Sequence, residues 1–201
     1  IYFEDHEGLG LELVANTHDD RSGFTGGIVP REYAIKGFHA ILLNEDNFER
    51  TAALLAEQMD FTFLKEQGNR IRYSSDSNSA NFVDILYNSG STRGLSGSGT
   101  IHHVAFAVKD DQAQHYVREK LVNAGLSVTP VVDRNYFHSI YFREPGGVLF
   151  EVATSDIGFA IDENSENLGE SLKLPGWAES DRQRIESGLQ VISFDRDKFR
   201  D

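Results

Sequence analysis

His103 lies in the run Ile101-His102-His103-Val104-Ala105-Phe106-Ala107-Val108, and Glu151 in Gly147-Val148-Leu149-Phe150-Glu151-Val152-Ala153. Both runs read as short strands, separated by one helix-like stretch and two further strand candidates. An imidazole nitrogen and a carboxylate oxygen projecting from strands are the donors with which a protein holds a divalent metal. The two residues stand far apart in the chain, so a folded sheet must unite them, not a helical zinc motif or a compact loop. Strand alternation puts His103, Ala105 and Ala107 on one face and His102, Val104, Phe106 and Val108 on the other. Leu149, Glu151 and Ala153 share a face in the same way. The small alanines beside the imidazole and the acid leave room for a metal and a substrate. If buried between Phe150 and Val152, Glu151 needs a metal, an arginine or a proton, because an uncompensated carboxylate is costly away from water. A glutamate that is salt-bridged or turned to solvent is the plainer alternative.

Arg134 and Tyr141 fall on the strands between the two candidate ligands. They offer a fixed positive fork and a phenolic proton, which suit an anionic oxygenated substrate. His102 reads either as an acid or base beside the ligand or as a polar residue at a strand end, while His138 and His115 read as exposed. Gly146-Gly147 is a tight turn into the Glu151 strand. No helix follows it, so it has no phosphate-binding context.

The elements that must position these residues repeat. Gly37-Phe38-His39-Ala40-Ile41-Leu42-Leu43 aligns with the run carrying His103, which registers His39 on His103. Asn81-Phe82-Val83-Asp84-Ile85-Leu86 aligns with the run carrying Glu151, and Tyr2 to Leu13 aligns with both through Glu12. In the later module Asp110 or Asp111 caps a helix to about Asn123, with Ala113, Tyr116, Val117, Leu121 and Val122 as its apolar stripe and Ala124-Gly125 as its stop. In the earlier one Asn44 or Asp46 precedes a helix over Phe48–Met59 with Ala52, Leu54, Leu55 and Met59 inward. Three strand-like runs follow each helix: 61–65, 69–74 and 81–87, then 127–133, 137–143 and 148–153. Polar linkers lie at 74–79 and 89–99. The fold class is therefore α+β, built from β-α-β-β-β modules.

The expected organisation has residues 1–14 as the last hairpin of an upstream module and 15–36 as a linker. Modules follow at 37–90 and 100–155, the second carrying the candidate ligands, and 156–201 forms a C-terminal covering tail with a helix from Glu179 to about Leu189. That tail reads either as a packing arm or as a lid over the site. The chain opens on an apolar strand without a methionine. Either the terminus is processed or these residues continue a larger protein.

Bulk properties exclude several classes. The chain has 201 residues, 39% of them hydrophobic with 14 Phe and 7 Tyr, enough for a real core. A formal charge of −13 and a pI near 4.9 disfavour nucleic acid and anionic membrane. No run approaches the roughly 20 apolar residues of a membrane span, and no signal-like segment opens the chain, so the cytoplasm is the expected compartment. With no cysteine, disulfides, thiolate zinc sites and a cysteine nucleophile are excluded, and any metal must take nitrogen and oxygen ligands.

The repeated unit, with His on the first strand and Glu on the last, resembles the vicinal oxygen chelate superfamily of glyoxalase I, bleomycin-resistance proteins and extradiol dioxygenases. Four segments resemble its hydroquinone-type ring-cleaving dioxygenases: Ile101–Val108, Asp133-Arg134-Asn135-Tyr136-Phe137, Tyr141–Glu151 and Ile157-Gly158-Phe159 followed by Asp162-Glu163. The likeness runs from residue 1 to the tail and is densest over 100–175. The resemblance implies an Fe(II) site of two histidines and one carboxylate, with Mn(II) or Zn(II) as alternatives, and a small aromatic substrate and dioxygen as partners. It makes His103 and Glu151 the ligands, and Arg134, Tyr141 and His102 the groups that orient a phenolate and move protons. In that family the remaining histidine comes from the first module of the chain. The 201 residues resemble the C-terminal two-thirds of a four-module enzyme, so the expectation is a companion N-terminal segment that supplies it and weak iron binding without it. A homo-oligomer is compatible with this reading.

Two other readings stand beside it. If the two complete modules pair, His39, Asp84, His103 and Glu151 form a four-ligand site of the glyoxalase I kind, serving a lyase or isomerase. The third is a metal-free protein that sequesters an aromatic drug, as bleomycin-resistance proteins do.

Overall fold

The computed structural model describes residues 1–75, 81–90 and 94–191, so the linkers read at 74–79 and 89–99 lie partly outside the described residues. The described chain separates into two units. One comprises Ile1–Asp20 with Gly37–Asp156, the other Arg21–Lys36 with the described part of Ile157–Asp201.

The first unit begins with a hairpin, β1 (Tyr2–Glu4) against β2 (Gly10–Glu12), antiparallel with Phe3 opposite Leu11. Then come β3 (Ala40–Glu45), α1 (Glu49–Ala53), β4 (Thr62–Gln67), β5 (Arg70–Ser74) and β6 (Phe82–Tyr87). The pattern recurs as β7 (Val104–Val108), α2 (Asp111–Asn123), β8 (Val132–Asp133), β9 (His138–Arg143) and β10 (Leu149–Thr154). Each module makes a four-stranded sheet, ordered β3-β6-β5-β4 and β7-β10-β9-β8. The first and last strands of each module are therefore parallel neighbours, joined through the helical crossover that parallel pairing requires. This places the acid of each last strand beside the first strand, which carries the histidine at its entry.

The α+β repeat expected from the sequence is present, with three local differences. Ile101–His103 precedes β7 rather than forming part of it. The expected strand over 127–133 is reduced to β8 and an isolated bridge from Val128 to Phe142. The helix after β3 winds into a π-helical turn at Leu54–Gln58, where the Met59 amide donates to the Leu54 carbonyl five residues back at 3.2 Å. That turn buries Leu54 and Leu55 together.

One core serves both modules. Leu43, Leu55 and Ile85 from the first cluster with Ile140, Phe150 and Val152 from the second. Phe61 meets Phe106 edge-on at 5.7 Å between centroids, and Phe106 meets Phe150 at 4.9 Å. Full burial of such a side chain stabilises by roughly 1.5–3 kcal/mol, so the two sheets hold one another by these contacts. A polar tie joins them as well: the Thr51 hydroxyl donates to Glu144 Oε2 at 2.6 Å.

α2 starts where Asp110 accepts the Ala113 amide at 3.0 Å, and ends at Gly125, whose φ of +84° closes the turn that returns the chain to the sheet. Its buried residues are Gln114 and Leu121, whereas Tyr116 and Val122 of the expected stripe are exposed. Gln114 accounts for the difference. Its Nε2 donates to the His138 carbonyl at 2.7 Å and the Val152 carbonyl at 2.8 Å, which rotates the helix so that an amide, not an aromatic ring, faces the sheet.

The second unit contains short 3₁₀ turns, among them Gly176–Asp181, and α3 (Arg182–Gly188), where Arg182 pairs with Glu179 and Glu186. Among the described residues no helix is long and apolar enough to cross a membrane.

Gln114→Ala leaves two carbonyls of the sheet without their buried donor. The expected loss is about 2–3 kcal/mol in urea unfolding, against less than 0.5 kcal/mol for the exposed Gln112→Ala.

Candidate functional site

In the second module, pairing of β10 with β7 sets Glu151 opposite Ala105, and pairing with β9 sets Glu151 opposite Tyr141 and Ala153 opposite Ser139. Alternation then divides the sheet. Val104, Phe106, Ile140, Phe142, Phe150 and Val152 face the core, while Ser139, Tyr141 and Glu151 share the other face with Ala105 and Ala107.

Glu151 is 3% exposed, yet its carboxylate is fully engaged. Oε1 accepts the Tyr141 hydroxyl at 2.8 Å and the Ser139 hydroxyl. Oε2 faces His103 Nε2 at 2.8 Å. On the far side of that imidazole, Nδ1 lies 2.9 Å from His102 Nδ1, so one ring donates to the other and His102 fixes how His103 presents Nε2. Tyr141 in turn accepts Arg134 Nε at 3.3 Å, and the Arg134 guanidinium sits 5.4 Å from the centre of its ring. Arg134 is carried by the turn between β8 and β9. There Asn135 adopts φ +65° with its amide on Asp133 Oδ1.

The five residues read from the second module thus form one chain of contacts, Arg134 to Tyr141 to Glu151 to His103 to His102. Sequence reasoning missed Ser139. The signal was available, since Ser139 stands two residues before Tyr141 on the same strand and so on the same face. His138, expected to be exposed, is half-buried, and the Asp111 carboxylate at 2.6 Å raises its pKa above the usual histidine value.

The donor set suits a cation. His103 Nε2 and Glu151 Oε2 lie 2.8 Å apart, held by hydroxyls and an imidazole from behind, beside small alanines, and both atoms are of the kind that ligate a divalent cation. His103 and Glu151 supply two donors, and among the described residues no group of three His, Asp or Glu side chains gathers around one point.

The first module holds its corresponding residues differently. Asp84 is completely buried and accepts Arg70 Nε at 2.8 Å together with Arg72 Nε at 2.7 Å and Nη2 at 2.8 Å. Arg72 Nη1 lies 3.3 Å from His39 Nε2, and the remaining guanidinium nitrogens of Arg70 reach Glu12 on β2. His39 and Asp84 therefore meet through a guanidinium. The register of the parallel pair differs as well: Leu42, three residues after His39, lies opposite Asp84, whereas Ala105, two residues after His103, lies opposite Glu151.

Comparisons with known proteins bear on the fold and the family. Residues 2–152 match the model of the Glyoxalase/Bleomycin resistance protein/Dioxygenase superfamily. The chain is 40% identical over 189 residues to a Bacillus subtilis (strain 168) protein named "Putative ring-cleaving dioxygenase MhqO", covering 94% of this chain and 60% of that protein. It is 31% identical over 174 residues to the chlorohydroquinone/hydroquinone 1,2-dioxygenase of Sphingobium indicum, covering 83% of this chain and 53% of that enzyme. The chain thus spans a little over half the length of these relatives. A crystal structure described as "putative dioxygenase from Bacillus subtilis subsp. subtilis str. 168" superposes with a TM-score of 0.88 at 40% identity, over 96% of this chain and 62% of that one. The match over residues 2–152 and these relatives show that the chain, with its two β-α-β-β-β modules, belongs to the glyoxalase, bleomycin resistance and dioxygenase superfamily, also called the vicinal oxygen chelate superfamily.

Proposed function

We propose that this chain is part of a ring-cleaving dioxygenase that opens hydroquinone- or catechol-like aromatics with dioxygen. The observation that carries the reading is the contact chain from Arg134 through Tyr141 and Glu151 to His103, in a protein related to an enzyme named for hydroquinone cleavage. His103 Nε2 and Glu151 Oε2 would hold Fe(II), with Mn(II) or Zn(II) as alternatives, and a further donor comes from protein outside this pair. When bound, iron supplies a place where a phenolic oxygen and dioxygen meet at a redox-active centre.

The residues of the chain do the rest. Ser139 and Tyr141 occupy Glu151 Oε1 and leave Oε2 as its coordinating atom. Arg134 provides a positive charge that favours the phenolate form of a substrate, and Tyr141 places an exchangeable proton between Arg134 and Glu151. His102 holds the imidazole of His103 in register and offers a nitrogen for proton exchange at the exposed edge of the site.

The pairing of Asp84 with Arg70 and Arg72 weighs against a four-ligand site of the glyoxalase I kind, since a metal beside two guanidinium groups meets like charge. The experiment uses the full protein, loaded with Fe(II) under anaerobic conditions and then supplied with hydroquinone and air. Metal content, oxygen uptake and the ring-opened product are measured. His103→Ala is expected to lose metal and oxygen uptake together, whereas Asp84→Ala keeps the metal and loses about 1–3 kcal/mol of stability through its stranded arginines. Metal loss in Asp84→Ala favours the four-ligand site. No metal after reconstitution and no oxygen uptake in the wild type favour a binding protein.

Ser139→Ala removes one of two hydroxyls from a buried carboxylate. The expected cost is about 1–3 kcal/mol in urea unfolding, together with weaker metal retention during dialysis against a chelator.

A further inference from the structure

A second group of carboxylates lies away from the site described above. Glu45, at the end of β3, and Glu144, at the turn between β9 and β10, are 3% and 2% exposed. Glu144 is well supplied with donors. Its Oε2 accepts the Thr51 hydroxyl and the Gly146 amide, each at 2.6 Å, and its Oε1 accepts the Val148 amide at 2.6 Å. Neither oxygen of Glu45 has a hydrogen-bond donor among the described residues. The two carboxyl groups converge over Gly146: a Cβ placed there would stand 2.9 Å from Glu45 Oε2 and 3.0 Å from Glu144 Oε1.

A buried carboxylate without donors, facing another carboxylate that has three, is an unstable arrangement unless a proton is present. Among the described residues, no cation acts on Glu45 in place of the proton. Glu144 from the second module and Asp46, the next residue in sequence, are the charges that act on it, both negative, and Thr51 from α1 is the adjacent hydroxyl. Tyr87 lies opposite on β6, with its ring turned against Phe48.

We propose that Glu45, Thr51 and Glu144 form a proton-operated latch between the two modules, closed while Glu45 is protonated and loosened when it ionises beside Glu144. Glu45 and Thr51 belong to the first module and Glu144 to the second, so the latch spans the shared core. The Glu144 turn leads directly into β10, which begins five residues later at Leu149 and continues through Phe150 to Glu151. Loosening the turn therefore acts on the strand that carries the candidate ligand. Burial first, then the charge of Glu144, pushes the Glu45 carboxyl up to about 7; the Thr51 hydroxyl lies near enough to oppose this, but its proton is directed to Glu144. Because the folded value lies above the ordinary 4.5, the stabilising contribution of the proton is complete below about 4.5 and lost as pH rises to about 7.

The latch does not depend on the ring-cleavage reading. Its test compares the wild type with Glu45→Gln, which keeps the shape, supplies a donor and cannot ionise. Between pH 4.5 and 7 the unfolding constant of the wild type should rise relative to the variant by up to about tenfold per pH unit, then run level above 7. Amide exchange at Gly146 and Val148, corrected for intrinsic pH dependence, should accelerate between pH 4.5 and 7 in the wild type and not in the variant, and change no further above 7. A difference in stability that is flat with pH, or exchange that responds equally in both proteins, overturns the latch. If Glu45→Gln does not fold, carbon-13 titration of the wild-type glutamate carboxyls decides instead: one resonance with a midpoint near 7 supports the proposal, and none titrating above pH 6 overturns it. Stabilisation of the wild type but not the variant by added Mg²⁺ or Ca²⁺ at pH 8 would also overturn it, by assigning the place to a cation.

Discussion

Burying a carboxylate inside a sheet is the constraint around which this protein is arranged. The topology puts one acid on the second strand of each sheet, Asp84 on β6 and Glu151 on β10, next to the strand whose entry carries a histidine. Each must be compensated, because the cost of an isolated charge in such a place exceeds what a single core side chain contributes. The two modules answer differently. Asp84 receives two guanidinium groups, a complete and permanent counter-charge. Glu151 receives two hydroxyls and an imidazole, which orient the carboxylate without supplying a fixed positive charge. The two repeated modules thus differ in the charge they set against the acid of the last strand.

The same accounting links fold to function along β9 and β10. Their pairing carries the aromatic core on one face and the Ser139, Tyr141 and Glu151 group on the other, so packing of Phe142 and Phe150 sets the register of the polar face. A slip of one residue would exchange the two faces and bury the wrong set. Gln114 and the turn at Glu144 tie this pair to α2 and to the first module. The polar ties and the shared core therefore act on the same strands.

Much of this was legible in the residues. Period-two alternation placed His103 with the alanines and Glu151 with Ala153, and the structure keeps those faces. The helix over Asp111–Asn123 followed from its Asp110 cap and its Gly125 stop. Its buried face was misjudged because Gln114 is polar, and only the carbonyls it reaches on β9 and β10 explain its burial. The repeat registers His39 on His103 and Asp84 on Glu151, but the register alone does not say what each acid meets. Arg70 and Arg72 alternate onto the face of Asp84, but their targets depend on the pairing of β5 with β6.

The amino-acid sequence by itself determined the repeat, the strand faces, the absence of thiolate ligands and the donors able to hold a cation. These are local matters of residue type, spacing and backbone periodicity. Tertiary structure alone decided which acid meets two guanidinium groups, which meets two hydroxyls and an imidazole, and that Glu45 and Glu144 meet over a glycine. Compensation of a buried charge depends on groups brought together through long-range pairing, and neither their distance nor their exposure is written in the order of the residues.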